Sequence, residues 1–284
     1  MMIWAYSYPT KLQKKCIFTN DNTANAMQVR AKKYLGQHFL TDQGVAMRIV
    51  DSLDTAGSAL PVEVLEVGPG MGVLTQYLLE RSDVSLKAVE IDEESVDYLR
   101  NNFPTLTPSL YQEDFLALNL NKIYGRQPFC IIGNFPYNIS SQIFFKVLDS
   151  VDSVPQVVCM VQKEVAERIA APAGSKTYGI LSVLLQTWYD IEYLFTVGEG
   201  AFVPPPKVKS AVIRLRRNSR AEIGCDAAMF KKVVKTAFNQ RRKTLRNSLR
   251  GICENIPEKY SQLRPEQLGV EQFIELTNLI EGLV

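Results

Sequence analysis

Leu65-Glu66-Val67-Gly68-Pro69-Gly70-Met71-Gly72 decides the fold: an apolar run passes directly into three alternating glycines and then into a helical pattern. Glycine at a strand-to-helix junction permits a tight turn and lets a ligand approach the main chain. The spacing is Gly-x-Gly-x-Gly, not the Gly-x-Gly-x-x-Gly of dinucleotide binders, so it argues against a pyrophosphate cradle and against NAD. Working outward, apolar runs at 62–67, 86–91, 129–132 and 157–161 predict strands, and residues at helical spacing over 72–80, 93–101 and 140–148 predict helices between them. Repeated strand-helix units give a mostly parallel sheet, hence a doubly wound α/β domain. A further helix is expected over 179–188. A late strand over 212–215, after Pro204-Pro205-Pro206, is expected to close the sheet.

The chain has 284 residues, 46% hydrophobic and 22% charged, enough for one large domain and a smaller one. No stretch approaches the ~20 consecutive apolar residues of a membrane-spanning helix. Cys16, Cys130, Cys159, Cys225 and Cys253 form no close pair, which suggests neither a zinc spacing nor a disulfide framework and fits a reducing cytoplasm. The single histidine, His38, excludes multi-histidine metal sites and leaves little room for a nucleophilic triad. No metal is expected. Residues 1–26 lack a helical or strand period and a secretory pattern; they are expected to be an unfolded extension or a start placed too early, with Met27 opening the folded chain. Character changes near Asn218. Asp226 is a candidate N-cap, and Phe230, Val233, Val234, Ala237 and Phe238 form the stripe of a core-facing helix. The expected division is a catalytic domain over 27–217 and a small helical domain over 218–284.

Glu90 ends the next strand twenty residues after Gly70, where a carboxylate typically accepts from both ribose hydroxyls of a nucleoside. Asp114, after the following candidate strand, is placed to accept from an adenine amine. A glycine loop through Gly68 and Gly70 beside a methionine portion, an acid on the ribose and an acid near the adenine are what S-adenosylmethionine needs. The bland alternative is a generic glycine turn with solvent-facing acids; agreement at three successive loops favours the cofactor. Upstream, the segment Lys32 to Leu40 combines cations, an aromatic and Gly36, and is expected to fold over that cofactor. His38 is read as a hydrogen-bonding or packing residue.

A second site is expected at Ile131-Ile132-Gly133-Asn134-Phe135-Pro136-Tyr137-Asn138. Asn134 offers a carbonyl oxygen, the backbone at Phe135 a second acceptor, and Tyr137 a flat face for a heteroaromatic ring. An ordinary strand-to-loop turn is the simpler reading of the same residues.

These blocks, with Leu35-Gly36-Gln37-His38-Phe39-Leu40, Phe202-Val203-Pro204-Pro205-Pro206-Lys207-Val208 and Phe238-Asn239-Gln240-Arg241-Arg242-Lys243-Thr244-Leu245, resemble the small-subunit ribosomal RNA adenine dimethyltransferases, nearly throughout from Met27 on. The resemblance implies a Rossmann-like class I methyltransferase sheet with a small helical C-terminal domain. It implies dimethylation of two adjacent adenines near the 3′ end of the small-subunit (16S) RNA, with His38, Leu40, Gly68, Glu90, Asp114 and Asn134 contacting or bordering S-adenosylmethionine. Some family members carry Asn where His38 stands. It further implies that the turn at Asn134, Phe135 and Tyr137 receives the target adenine, with Phe202 against the base from the other side or supporting Tyr137. The macrolide-resistance adenine methyltransferases of large-subunit RNA are the nearest alternative, and a non-catalytic assembly factor is another.

The net charge of +2 conceals an asymmetry. Between Lys207 and Arg250 lie fourteen Lys or Arg against two acids, Glu222 and Asp226. Such clustering supplies phosphate contacts. Lys207, Arg241, Arg242, Lys243 and Arg246 are the expected RNA-binding residues of a cytoplasmic monomer acting on the small ribosomal subunit or its assembly intermediate.

Overall fold

The computed structural model describes residues 29–57 and 61–283; the expectations for residues 1–26 and for Met27 lie outside them. The strands are β1 (Phe39–Leu40), β2 (Val62–Val67), β3 (Val84–Glu90), β4 (Leu110–Gln112), β5 (Cys130–Asn134), β6 (Gln156–Gln162), β7 (Tyr189–Val197), β8 (Phe202–Val203) and β9 (Ser210–Arg217). The α-helices are α1 (Gln43–Asp51), α2 (Thr75–Glu80), α3 (Glu93–Asn102), α4 (Leu120–Tyr124), α5 (Ser140–Asp149), α6 (Lys163–Ala170), α7 (Ile180–Gln186), α8 (Ala227–Asn239), α9 (Leu245–Ser248), α10 (Glu258–Ser261) and α11 (Val270–Glu281). None of them is long and apolar enough to cross a membrane.

Seven strands form one sheet in the order β4-β3-β2-β5-β6-β9-β7. The first five are parallel and β9 is antiparallel to both neighbours. The chain winds outward from β2 through β3 to β4, then returns to the other side of β2 as β5. That reversal is a topological switch point, and ligands of open α/β sheets bind outside the carboxyl ends of the strands there. The glycine loop leaves β2 and the Asn134 turn leaves β5, so the two flank the switch. Both faces are covered: Val64 and Ile132 pack with Ala46, Ile49 and Leu78 of α1 and α2, while Leu65, Val67 and Ile131 pack with Ile143, Phe144 and Val147 of α5. This double burial is why the strands read as nearly continuous apolar runs.

Three expectations change. The helix expected from Gly72 starts at Thr75, because Gly68, Gly70 and Gly72 have φ of 69°, 56° and 77°, the left-handed region that no right-handed helix contains. The strand 129–132 extends to Asn134, whose partner across the ladder is Met160, so the polar turn begins inside the sheet. The strand around 212–215 does not close the sheet. It is inserted between β6 and β7, and β7 holds the edge. β7 carries Asp190, Glu192 and Thr196 between its apolar residues and is mostly half-buried, as an edge strand with one solvated face should be, and α6 follows β6 with no intervening loop.

Asp226 is the expected N-cap, accepting from the Met229 N–H at 2.7 Å; Asp42 caps α1 in the same way, accepting from the Val45 N–H at 3.0 Å. The α8 stripe Phe230, Val233, Val234, Ala237 and Phe238 is buried. It packs with Phe273 and Leu276 of α11 and also with Val183 and Leu184 of α7. The apolar core of the helical part therefore extends across the position 217/218 into the preceding segment.

Candidate functional site

A cavity of about 290 Å³ lies over the switch point and is lined by His38, Leu40, Gly68, Gly70, Glu90, Asp114, Asn134, Phe135 and Tyr137, among others. Four loops, each at the carboxyl end of a parallel strand, converge on it together with the strap ahead of α1. The strap, residues 29–40, is fastened at several points. Lys32 pairs with Asp92 and with Glu94, the latter at 3.2 Å. The His38 Nδ1–H donates to the Pro204 carbonyl at 2.8 Å, and Leu40 pairs with Phe202 in the small sheet of β1 and β8. Gly36 has φ of 67°, and a Cβ added there would lie 2.5 Å from Asn138 Oδ1, so the strap and the Asn134 turn pack against each other directly.

Glu90 is 6% exposed and organises the floor. Its Oε2 accepts from the Gly70 N–H at 3.0 Å, and its Oε1 from the N–H groups of Ile91 and Asp92, both at 2.9 Å. Burial holds this carboxyl above its usual range while the three N–H bonds pull it down. Three of its roughly four lone-pair sites are used, and Glu90 lines the cavity. Asp114 takes the Leu116 N–H at 2.8 Å on Oδ1 and lines the cavity. A Cβ built on Gly68 would meet nothing within 4 Å; the main chain is bare on the cavity side. These residues fit S-adenosylmethionine: exposed backbone at the glycine loop, an acid at the end of β3 and another after β4.

Glu66 was not singled out from sequence, yet it lines the same cavity at 1% exposure. Burial pushes its carboxyl up to about 8, against the Thr75 Oγ1 hydrogen bond at 2.7 Å, with the nearby Glu90 charge adding to the rise. The signal available was an acid within a strand that the flanking valines and leucine mark as buried; a buried acid is rare without a partner or a task.

At the other wall, the Asn134 Nδ2 donates to the His38 carbonyl at 3.0 Å. The amide's donor side is thereby fixed on the strap, and its Oδ1 has no hydrogen-bond partner among the described residues. Phe135 continues the ladder, its N–H donating to the Met160 carbonyl at 3.0 Å; its ring is fully buried against Phe144, while its carbonyl accepts no bond among the described residues. The Tyr137 hydroxyl bonds Ser210 Oγ, and its ring lies 5.3 Å from that of His38. Burial raises the Tyr137 phenol above its ordinary value, the Ser210 bond opposing.

Two expectations are placed differently. Phe202 is 2% exposed and packs with Leu40, Ala46 and Ile49 beneath the strap, not on the cavity wall; antiparallel pairing of β8 with β1 turns its ring inward. The basic cluster also contains fewer free cations than its sequence suggests. Arg214 and Arg216 pair with Glu192, Arg220 with Glu271 and Lys231 with Asp149. Arg241 donates to the Ser175 carbonyl at 3.3 Å and lies 3.9 Å from Glu266. Lys207, Arg242, Lys243 and Arg246 are exposed, and none has an ion pair among the described residues.

Five parallel strands, a strand inserted antiparallel and a cavity at the switch point define a class I methyltransferase. The family model described as ribosomal RNA adenine dimethylase matches residues 28–279, and the chain belongs to that family. It is 62% identical over 253 residues to the ribosomal RNA small subunit methyltransferase A of Parabacteroides distasonis, covering 88% of this chain and 93% of that one. The protein of the same description from Flavobacterium johnsoniae is 54% identical over 260 residues, covering 90% and 97%. Among solved structures, a dimethyladenosine transferase from Plasmodium falciparum has the same fold, with a TM-score of 0.71 at 22% identity over 86% of this chain and 98% of that one. The 23S rRNA methyltransferase ErmE aligns with a TM-score of 0.62 at 27% identity over 84% and 99%.

Proposed function

We propose that this chain dimethylates the exocyclic amines of two adjacent adenines near the 3′ end of 16S RNA during small-subunit biogenesis, acting in the cytoplasm as a monomer. The observation that carries the proposal is the Asn134 amide in the cavity wall, whose donor side is committed to the His38 carbonyl and whose Oδ1 is left without a partner among the described residues. S-adenosylmethionine, when bound, supplies a methyl group on a sulfonium. Glu90 and Asp114 hold its nucleoside, and the bare main chain at Gly68 admits its methionine portion.

Adenine's amine is a poor nucleophile because its lone pair is delocalised into the ring. Asn134 Oδ1 and the Phe135 carbonyl accept its two hydrogens, draw the nitrogen toward a pyramidal shape and aim its lone pair at the donor. Orientation replaces acid-base chemistry. His38 serves as a strut, its Nδ1–H held by Pro204, and the proton leaves for solvent once the nitrogen is methylated. The target base must be extruded from its neighbours, and the Tyr137 ring offsets part of that cost by stacking.

Tyr137→Ala is expected to lower kcat/KM for RNA by about 5- to 150-fold, the range of one base-aromatic stack. Tyr137→Phe loses only the Ser210 bond, about 0.5–1.5 kcal/mol, and should stay within roughly tenfold of the parent. Equal losses in steady-state assays of the two variants would contradict the stacking role.

Arg242, Lys243 and Arg246, with Lys207, make up the RNA-facing charge. Reversing Arg242 and Arg246 to Glu is expected to weaken RNA binding and to flatten its log-log salt dependence by about one unit per lost phosphate contact. Titrations at several salt concentrations check this, and an unchanged slope removes the assignment. The proposal as a whole is tested by offering labelled S-adenosylmethionine with small- and large-subunit particles together: label is expected on the small subunit, and label on the large subunit alone would transfer the chain's activity to the resistance type.

A further inference from the structure

Tyr34 is 75% exposed, more than any other large hydrophobic side chain among the described residues. An aromatic ring left in water gains nothing for the fold. Its backbone, by contrast, is held firmly. Tyr34 sits in a single 3-10 turn, Lys33–Leu35, closed by the Leu35 N–H to the Lys32 carbonyl at 3.1 Å and the Gly36 N–H to the Lys33 carbonyl at 3.0 Å. The Lys32 N–H donates to Gln37 Oε1 at 2.8 Å, and Asn138 Nδ2 donates to the carbonyl of Tyr34 itself at 3.3 Å. Asn138 follows Tyr137, so the turn is clamped to the same loop that presents the adenine-facing ring. Tyr34 and Asn138 both line the rim of the cavity, and Lys33 beside it is exposed.

We propose that Tyr34 is a second base-binding platform, which stacks on the nucleobase next to the target adenine while the target occupies the cavity, with Lys33 placed for the phosphate between the two. This rests on the reading that the cavity takes an adenine of RNA. Extruding one of two adjacent adenines strips the neighbour of a stacking partner, and a rigidly carried, water-exposed aromatic at the cavity mouth replaces it without any sequence-specific hydrogen bond. For a substrate with two neighbouring targets this has a specific use: whichever adenine is inside, its neighbour needs a surface outside.

The test compares the parent with Tyr34→Ala and Tyr34→Phe, neither of which disturbs a buried contact. Three quantities are read: affinity for S-adenosylmethionine by calorimetry, KM for unmodified small-subunit particles, and quenching of 2-aminopurine placed beside the target adenine in a short RNA. Tyr34→Ala is expected to raise the RNA KM about 5- to 150-fold and to abolish the quenching, with cofactor affinity within about twofold of the parent; Tyr34→Phe should behave as the parent. An unchanged RNA KM with an active parent would overturn the platform alone. A fall in cofactor affinity matching the change in KM would also overturn it, placing the ring over the cofactor instead. A parent that methylates no RNA adenine would remove the underlying reading together with this one.

Discussion

Asn134→Ala is expected to lower the rate of methyl transfer by at least about 10²-fold, the loss that misplacing a reacting group by about an ångström brings, while the parent level of S-adenosylmethionine binding is largely kept. The substitution deletes the acceptor proposed to align the amine and also the donor that holds the His38 carbonyl at 3.0 Å. Asn134→Asp separates the two roles. It keeps an acceptor oxygen but sets a carboxylate against the His38 carbonyl, so it should loosen the strap and weaken cofactor binding, with the larger share of the activity retained. Single-turnover rates and calorimetric affinities on both variants check this. Near-parental turnover in Asn134→Ala would take Asn134 out of the mechanism.

Glu90→Ala should act on the other substrate. Its carboxylate is the acceptor for the N–H groups of Gly70, Ile91 and Asp92, and each buried N–H left unpaired costs about 1–3 kcal/mol. The glycine loop has three residues at positive φ and keeps the Gly68 N–H bond to the Val89 carbonyl at 3.0 Å and the Gly72 N–H bond to the Pro69 carbonyl at 2.9 Å, but its Gly70 N–H depends on Glu90. We expect S-adenosylmethionine affinity to drop about 10²-fold or more and the unfolding temperature to fall with it. Glu90→Gln, which retains one acceptor oxygen, should lie between. Calorimetry and thermal unfolding measure the two effects; full cofactor affinity in Glu90→Ala would contradict the assignment of the β3 carboxylate to the nucleoside.

Most of what positions the site was legible because it depends on local chemistry. Buried parallel strands announce themselves as β-branched runs, and Asp226 marks a helix start through the acceptor it supplies. The three glycines mark a backbone that other residues rarely adopt. What escaped depends on distant partners. The order of β9 and β7 is set by which edge each strand pairs with, and nothing in the residues at 212–215 encodes that. Phe202 reads like a base-stacking aromatic, but pairing with Leu40 turns it into the core. Arg241 reads like its neighbour Arg242, yet it is tied to Ser175 and Glu266 from a segment some seventy residues earlier and another after it. Glu66 escaped for the opposite reason: it lay in plain view within a strand, and only its burial beside Glu90 gives it a raised pKa and a place in the cavity wall.

The measurement that bears most directly on the amine clamp is a map of methylated bases in 16S RNA after unmodified small-subunit particles are incubated with the protein and S-adenosylmethionine. Two adjacent N6,N6-dimethyladenosines near the 3′ end, present with the parent chain and absent with Asn134→Ala, are predicted. Methyl groups on another base or position, or the same two dimethyladenosines formed at full rate by Asn134→Ala, would contradict it.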